Sequence, residues 1–234
     1  MSYYYFLNKL DKKNVQTIFE LGSRDLIDAI KLLDYFSDSK IYAFECNPDC
    51  LIECNKNICN LDERCNLDER QKEKLTLVNK AVSLTNGEVK FYPFDLQKYN
   101  NMGASSMLKI DFSSRNKNDP DYNRENPQKE ITVEGIRLDT FIDENCIEKV
   151  DLLCIDLQGY ELNALKSLGQ HLYNVKYIIT ECSRVSTYIN GATFDELNNY
   201  LINYNFKYIC SLNPNQNTSG FTEYDVLFIN QSLL

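Results

Sequence analysis

No apolar run in this 234-residue chain approaches the length needed to cross a bilayer, and its start, MSYYYFLNKLDKK, lacks the order of a secretory signal. Both absences point to a soluble, cytoplasmic protein. Positive charge is also in short supply. Lys and Arg number 25 against 34 Asp and Glu, giving a net charge of −9 and a pI near 4.8, which excludes the basic surface that tight, nonspecific nucleic-acid binding needs. The nine cysteines are scattered without paired C-x-x-C spacing, so neither a zinc site nor a disulfide framework is implied and reduced thiols are the default. The one histidine, His171, lies in LGQHLYN on a connection away from the strand ends, and reads as a surface or packing residue rather than a general base. Nothing requires more than one domain over residues 1–234.

What is present is organised around Thr17–Asp25, TIFELGSRD. Ile18, Phe19 and Leu21 form a short apolar strand that ends at Gly22, and from Leu26 onward Ala29, Ile30, Leu33 and Phe36 fall at helical spacing. Strand, single glycine, helix is the first crossover of an α/β sheet, and such a turn is where the sheet binds ligands. Ahead of it, residues 1–16 hold an aromatic cluster, Tyr3 to Phe6, expected to pack as an arm over the sheet edge. Lys40–Glu45 (KIYAFE) is a second strand, and Pro48 with Asp49 opens a helix. Glu45 thus sits on the second strand tip, 23 residues after Gly22, where a nucleotide-binding unit places an acid for ribose hydroxyls.

Residues 59–70 repeat CNLDER in tandem. The period is too short for a solenoid and reads as a lengthened surface helix or loop. Leu75–Ser83 is a third strand, with Asn79, Lys80 and Ala81 near its end, and Asn86-Gly87 signals a two-residue hairpin into Glu88–Phe94. Residues 100–130 lack apolar periodicity, and a lid and an inert surface excursion fit them equally well. Further strands follow at Ile131–Leu138, Val150–Ile155, Val175–Thr180, Phe206–Cys210 and Tyr224–Ile229, the last two able to pair antiparallel. Thr193 with Glu196 is a capping box opening the helix that precedes Phe206–Cys210. The pattern is an α/β, Rossmann-like, doubly wound fold: about seven mostly parallel strands with helices on both faces.

A dinucleotide site would carry G-x-G-x-x-G and a P-loop GK[ST]; here Gly22 stands alone, followed by Ser23, Arg24 and Asp25. S-adenosyl-L-methionine has no phosphate to cradle. Its ammonium suits Glu20, its carboxylate a backbone amide or Arg24, and its ribose Glu45. Four segments, IFELGSRD, IYAFECNP, VNKAVS with the later GASSM, and VDLLCIDLQGYELNALKSL followed by YIITECS, resemble the FkbM-type S-adenosylmethionine-dependent methyltransferases of class I fold. The resemblance runs from about Thr17 to Tyr208, and departs from the family pattern at Cys154, where lysine is usual, and at Gln158, where glutamate is usual. It implies methyl transfer to a hydroxyl of a sugar, glycan or similar small acceptor. It places Glu20, Gly22 and Ser23 at the methionine end, Glu45 at the ribose and Asn79–Ala81 by the adenine; Arg24, Asp25 and Cys46 complete the cofactor side.

An alcohol must lose its proton as it is methylated. Asp156, ending the central strand, and Glu181, ending its neighbour, are the candidate catalytic carboxylates, with Asp156 as base or hydroxyl anchor. Asp156 could instead cap the next helix through the Gly159 and Tyr160 amides. Glu161, in that helix's first turn, fits a dipole role as well as a site role, and Asp25 could simply cap the first helix. Two alternatives use the same frame: a metal-dependent enzyme with Mg2+ on Asp156, Glu181 and Gln158, and a noncatalytic member that binds cofactor without turnover. A nucleic-acid methyltransferase is disfavoured by charge and by the absence of an N-P-P-Y-type motif. The expected partner is a small-molecule or glycan acceptor, with neither nucleic acid nor membrane, for a monomer or homodimer.

Overall fold

The computed structural model describes residues 4–60, 69–97, 102–111, 126–212 and 223–234. Ten strands are present among them: β1 (Thr17–Leu21), β2 (Lys40–Phe44), β3 (Leu75–Val78), β4 (Ala81–Val82), β5 (Gly87–Phe91), β6 (Ile131–Ile136), β7 (Val150–Ile155), β8 (Val175–Ser183), β9 (Phe206–Ser211) and β10 (Glu223–Asn230). The helices are α1 (Tyr4–Leu7), α2 (Ile27–Tyr35), α3 (Pro48–Cys59), α4 (Glu69–Lys72), α5 (Leu138–Glu144), α6 (Glu161–Ser167) and α7 (Phe194–Ile202). Seven strands make one sheet in the order β3-β2-β1-β7-β8-β10-β9. β10 alone runs antiparallel to both of its neighbours, so the five strands from β3 to β8 are parallel.

The alternation of each strand distributes its side chains between two cores. Phe19, Leu21, Phe44, Leu153, Ile155 and Ile178 face α5, α6 and α7. Ile18, Ile41, Ala43, Leu152, Cys154 and Ile179 face α1, α2 and Cys54 of α3. β7, at the centre, is buried along its whole length, as a parallel strand covered on both faces must be. Phe6 and Leu7 of α1 sit fully inside the second core with residues from β1, β7 and β8, so the arm packs on a face of the sheet rather than over its edge as expected. The capping box at Thr193 and Glu196 forms, as does the Asn47–Pro48 start of α3, where the Asn47 side chain accepts from Asp49 N.

The structure corrects the reading between residues 75 and 94. The expected third strand breaks after Val78, and its tail, β4, leaves the main sheet. The expected hairpin does not form. β4 and β5 lie on opposite sides of β6 in a second, three-stranded sheet, β4 parallel to it and β5 antiparallel. The Asn86-Gly87 turn is real, with Gly87 at φ +96, but a turn fixes only the local reversal, and β6, distant in sequence, takes the pairing of both flanks. The strand expected over Ile131–Leu138 stops at Ile136 because α5 begins at Leu138. β8 continues past Thr180 to Ser183, where it pairs with β10 and Ser183 also bridges to Thr193. Most of the CNLDER repeat (61–68) and residues 112–125 of the 100–130 tract fall outside the described residues. No helix among the described residues is long and apolar enough to cross a membrane.

Candidate active site

Register builds the site. Phe44, Leu21, Ile155 and Thr180 align across β2, β1, β7 and β8, so the next residue on each strand, Glu45, Gly22, Asp156 and Glu181, falls in one row along the carboxyl edge. Gly22 is required there twice over. Its φ is +86, and a Cβ at this position would lie 2.0 Å from the Asp156 carbonyl oxygen, so only glycine lets the β1 turn cross so close to the end of β7. Gly22 N and Ser23 N both donate to Phe44 O at 3.0 Å, and Asp156 N donates to Leu21 O at 3.0 Å. The two turns that meet here carry unusual backbone: Arg24 and Leu26 in the first and Gln158 in the second have positive φ, and Gly159 follows Gln158 at +95. Left-handed non-glycine residues concentrated in two facing loops are the local strain that functional sites store.

Between these turns lies a cleft lined by Glu20, Gly22, Ser23, Arg24, Asp25, Asp28, Glu45, Cys46, Lys80, Ala81, Asp156 and Gln158 among others. Every residue expected on the cofactor side is therefore brought together, except Asn79, which does not line it. Glu20 is almost fully buried, accepts the Ser23 hydroxyl at 2.5 Å, and is pushed up to about 8 by burial. Glu45, pushed up to about 7 mainly by burial, holds the turns together: one oxygen accepts from Arg24 N at 2.8 Å, the other from Cys46 N at 2.8 Å and Asn47 N at 2.7 Å. Asp25 accepts from Ile27 N at 3.2 Å, so it caps α2 while also facing the cleft.

The catalytic candidates are arranged differently from the expectation. Asp156 faces the cleft, whereas Glu181 lines a second, smaller cavity with Glu161, Tyr188 and Glu223. Gln158 joins the two. Its side-chain Nε2 lies 2.8 Å from Asp156 Oδ1 and 2.8 Å from Glu181 Oε2, and its Oε1 accepts from the Tyr188 hydroxyl at 3.0 Å. Burial raises both carboxylates, Glu181 far above the carboxylate range with Asp156 adding to its shift, while the Gln158 hydrogen bond pulls Asp156 back down. Capping by Asp156 is displaced. Glu161 Oε1 takes Leu157 N at 3.0 Å and Gly159 N at 3.1 Å, and Tyr160 N donates to Leu157 O. Burial pushes Glu161 up to about 7.

Several cleft residues went unnamed in the sequence: Phe44, Val82, Phe91, Ser105, Ser106 and Met107. Ser105 accepts from Asn47 Nδ2 at 3.2 Å, and Ser106 donates to the Gln158 carbonyl at 2.8 Å, so the GASSM strap closes one side of the cleft. The signal was present in that segment without pointing to individual residues. Cys154 does not line the cleft itself; it sits fully buried on the α1–α2 face, paired in register with Glu20, so the departure from lysine puts a neutral thiol beside that carboxylate. His171 pairs with Asp143 at 2.9 Å just before the start of β8, at the opposite edge of the sheet. Among the described residues no three His, Cys, Asp or Glu side chains converge to hold a metal ion. Between Asp156 and Glu181, the position that Mg2+ would need is taken by an amide donor.

Five parallel strands joined to an antiparallel pair, with the ligand cleft at the carboxyl edge of β1, β2 and β7, define a class I methyltransferase fold. Among solved structures the chain is similar to methyltransferase FkbM from Methylobacillus flagellatus KT (TM-score 0.53, 11% identity, 92% of this chain and 43% of that one) and to the O-MT segment of StiE, residues 961–1257 (TM-score 0.50, 6% identity, 98% and 72%). The family model "Methyltransferase FkbM domain" matches residues 28–208, and the chain belongs to that family. It is also 26% identical over 175 residues to the 2-O-methyltransferase NoeI of Sinorhizobium fredii (strain NBRC 101917 / NGR234), covering 73% of this chain and 65% of that relative. The chain thus spans less than two thirds of NoeI and less than half of the M. flagellatus protein.

Proposed function

We propose that this chain is an S-adenosyl-L-methionine-dependent O-methyltransferase acting on a hydroxyl of a sugar, glycan or similar small acceptor. The observation that carries the reading is the charge of the cleft. Glu20, Asp25, Asp28, Glu45 and Asp156 line it against only Arg24 and Lys80, beside apolar walls from Phe44, Val82, Phe91 and Met107. Such a field favours a ligand bearing sulfonium and ammonium charges and opposes a pyrophosphate. Membership in the FkbM methyltransferase family and the resemblance to a 2-O-methyltransferase support methyl transfer to oxygen.

The bound cofactor would supply a methyl group already activated on sulfur. Glu20 would receive its ammonium, Arg24 or a turn amide its carboxylate, and Lys80 and Ala81 would flank the base. Glu45 would take the ribose. A carboxylate offers about four acceptor positions, and three are already committed to backbone N–H groups, so one position is left for a ribose hydroxyl. The remaining task is to hold the acceptor oxygen in line with the S–CH3 bond and to take its proton. Asp156 would be the base, taking the proton of the acceptor hydroxyl onto its carboxylate as that oxygen is methylated. Glu181, outside the cleft, acts on that carboxylate through Gln158.

Calorimetry with S-adenosylhomocysteine tests the cofactor reading. Wild type should bind, and Glu45→Ala should lose roughly 1–3 kcal/mol, the range for buried hydrogen-bonding groups left unpaired. Equal binding by both removes Glu45 from the ribose site. Transfer of a labelled methyl group from S-adenosylmethionine to a panel of sugars tests the acceptor class, and a panel without product leaves the noncatalytic alternative in its place.

A further inference from the structure

Gln158 has an unusual setting for a side chain on a cleft wall. Its backbone is left-handed (φ +53), and the Gly159 that follows lies under the Tyr188 ring, 3.0 Å from where a Cβ would be. The Tyr188 hydroxyl, itself 3.1 Å from the Ala104 carbonyl, pins Gln158 Oε1. With the carbonyl fixed, the two hydrogens of Nε2 point to Asp156 on the cleft side and Glu181 on the far side. A primary amide has just two such donors. Both are committed to carboxylates.

We propose that Gln158 is the positioning residue of this site: one amide nitrogen holds Asp156 and Glu181 as a fixed pair and fills the place that a bridging cation would otherwise occupy. The charged groups around the pair explain why a neutral donor is needed. Glu45 acts on Asp156 from the tip of β2, Asp28 from α2, Glu161 from α6, Glu181 from β8 and Glu223 from β10, Asp225 of β10 acts on Glu181, and Arg24 is the basic residue on the β1 turn. A third carboxylate at 158 would add repulsion. An apolar residue would leave two neighbouring carboxylates without their common donor, and a like-charged pair at this range takes up a proton. The amide lets Asp156 stay ionised toward the acceptor without a metal.

The inference rests on Asp156 being the base, but its test does not need turnover. Mn2+ binding to ligand-free protein is followed by electron paramagnetic resonance in wild type, Gln158→Glu and Gln158→Glu/Asp156→Asn. Wild type should show no saturable Mn2+ at this pair. Gln158→Glu should bind at least about tenfold more tightly, as hard carboxylate oxygens replace a donor, and the double variant should lose that gain. In parallel, the carboxylic-acid infrared band assigned to Asp156 by its loss in Asp156→Asn is titrated in wild type and Gln158→Met. Its midpoint should rise by about one pH unit in Gln158→Met, the size expected when a hydrogen bond to the charged form is removed. Should Gln158→Met not fold, Gln158→Asn carries the same titration. Asparagine tolerates the left-handed backbone but is one methylene too short to span both carboxylates. Wild type binding Mn2+ as tightly as Gln158→Glu, or an Asp156 midpoint unmoved in a folded variant, overturns the proposal. Failure of wild type to bind S-adenosylhomocysteine would instead remove the methyl-transfer reading and leave the amide-bridged pair judged by these two readouts alone.

Discussion

Asp151 and Asp156 stand near opposite ends of the same central strand, and their surroundings assign them opposite work. Asp151 is fully buried, yet its needs are met locally: Oδ2 accepts Gln16 N at 2.8 Å and Thr17 N at 3.0 Å, and Oδ1 meets Lys149 Nζ at 2.9 Å. It ties the entry of β1 to β7 and does not line the cleft at the carboxyl edge. Asp156 looks into the cleft and shares its Gln158 donor with another carboxylate. A buried acid surrounded by matched donors is structural, because each N–H stabilises its charge. An acid among other acids is raised in proton affinity and ready to exchange a proton. Residue type and strand are the same at both ends; only the neighbours differ.

That contrast can be broken from either end. The largest effect should come from Asp156→Asn, which removes the base and should cut methyl transfer by roughly 10²–10⁴-fold while leaving the melting temperature near wild type; the check is initial rates with labelled S-adenosylmethionine beside a thermal melt. Asp151→Ala should do the reverse. It strands two backbone N–H groups and should cost about 2–4 kcal/mol, a fall in melting temperature of roughly 4–12 °C, with transfer per folded molecule unchanged. If Asp151→Ala lost activity at full stability, the division of labour between the strand ends would be wrong.

The smallest effect sharpens the comparison through pH. Glu20, with an ordinary value of 4.5, stands at about 8 in the folded protein because burial disfavours its charge. Its contribution to stability is therefore complete below about pH 4.5 and is lost as pH rises through about 8. Ligand-free protein should melt several degrees lower at pH 8 than at pH 5, and binding of S-adenosylhomocysteine, whose ammonium favours the ionised carboxylate, should tighten on the order of tenfold across the same interval. Glu20→Gln should flatten both trends. A wild-type binding curve independent of pH would remove Glu20 from the ammonium site.

Much of the cleft was legible in the residue order because its parts are local. A strand that ends in a lone glycine, an acid on the next strand tip and a proline–aspartate helix start each depend on a few neighbouring residues, and Glu20, Gly22 and Glu45 came together as those patterns required. Asn79 failed for the same reason that the hairpin did. β3 ends at Val78, and Ala81-Val82 joins a different sheet through β6, some fifty residues away. No window around Asn86-Gly87 holds that information. Gln158 was visible as a departure from a family pattern, but a departure does not say what the new side chain touches.

The order of residues by itself determined the alternation of strands and helices, the row of acids at the strand tips and the glycine that lets two of those tips meet, since each follows from hydrophobic period, turn chemistry and the space a side chain occupies. Only the folded chain decided that Asp156 and Glu181 face different cavities, that Glu161 rather than Asp156 takes the amides of the turn after β7, and that one amide links the two carboxylates. Those outcomes depend on which strand tips lie side by side and how deeply each is buried. Sheet register and long-range packing set both, and neither is written in any short stretch of the chain.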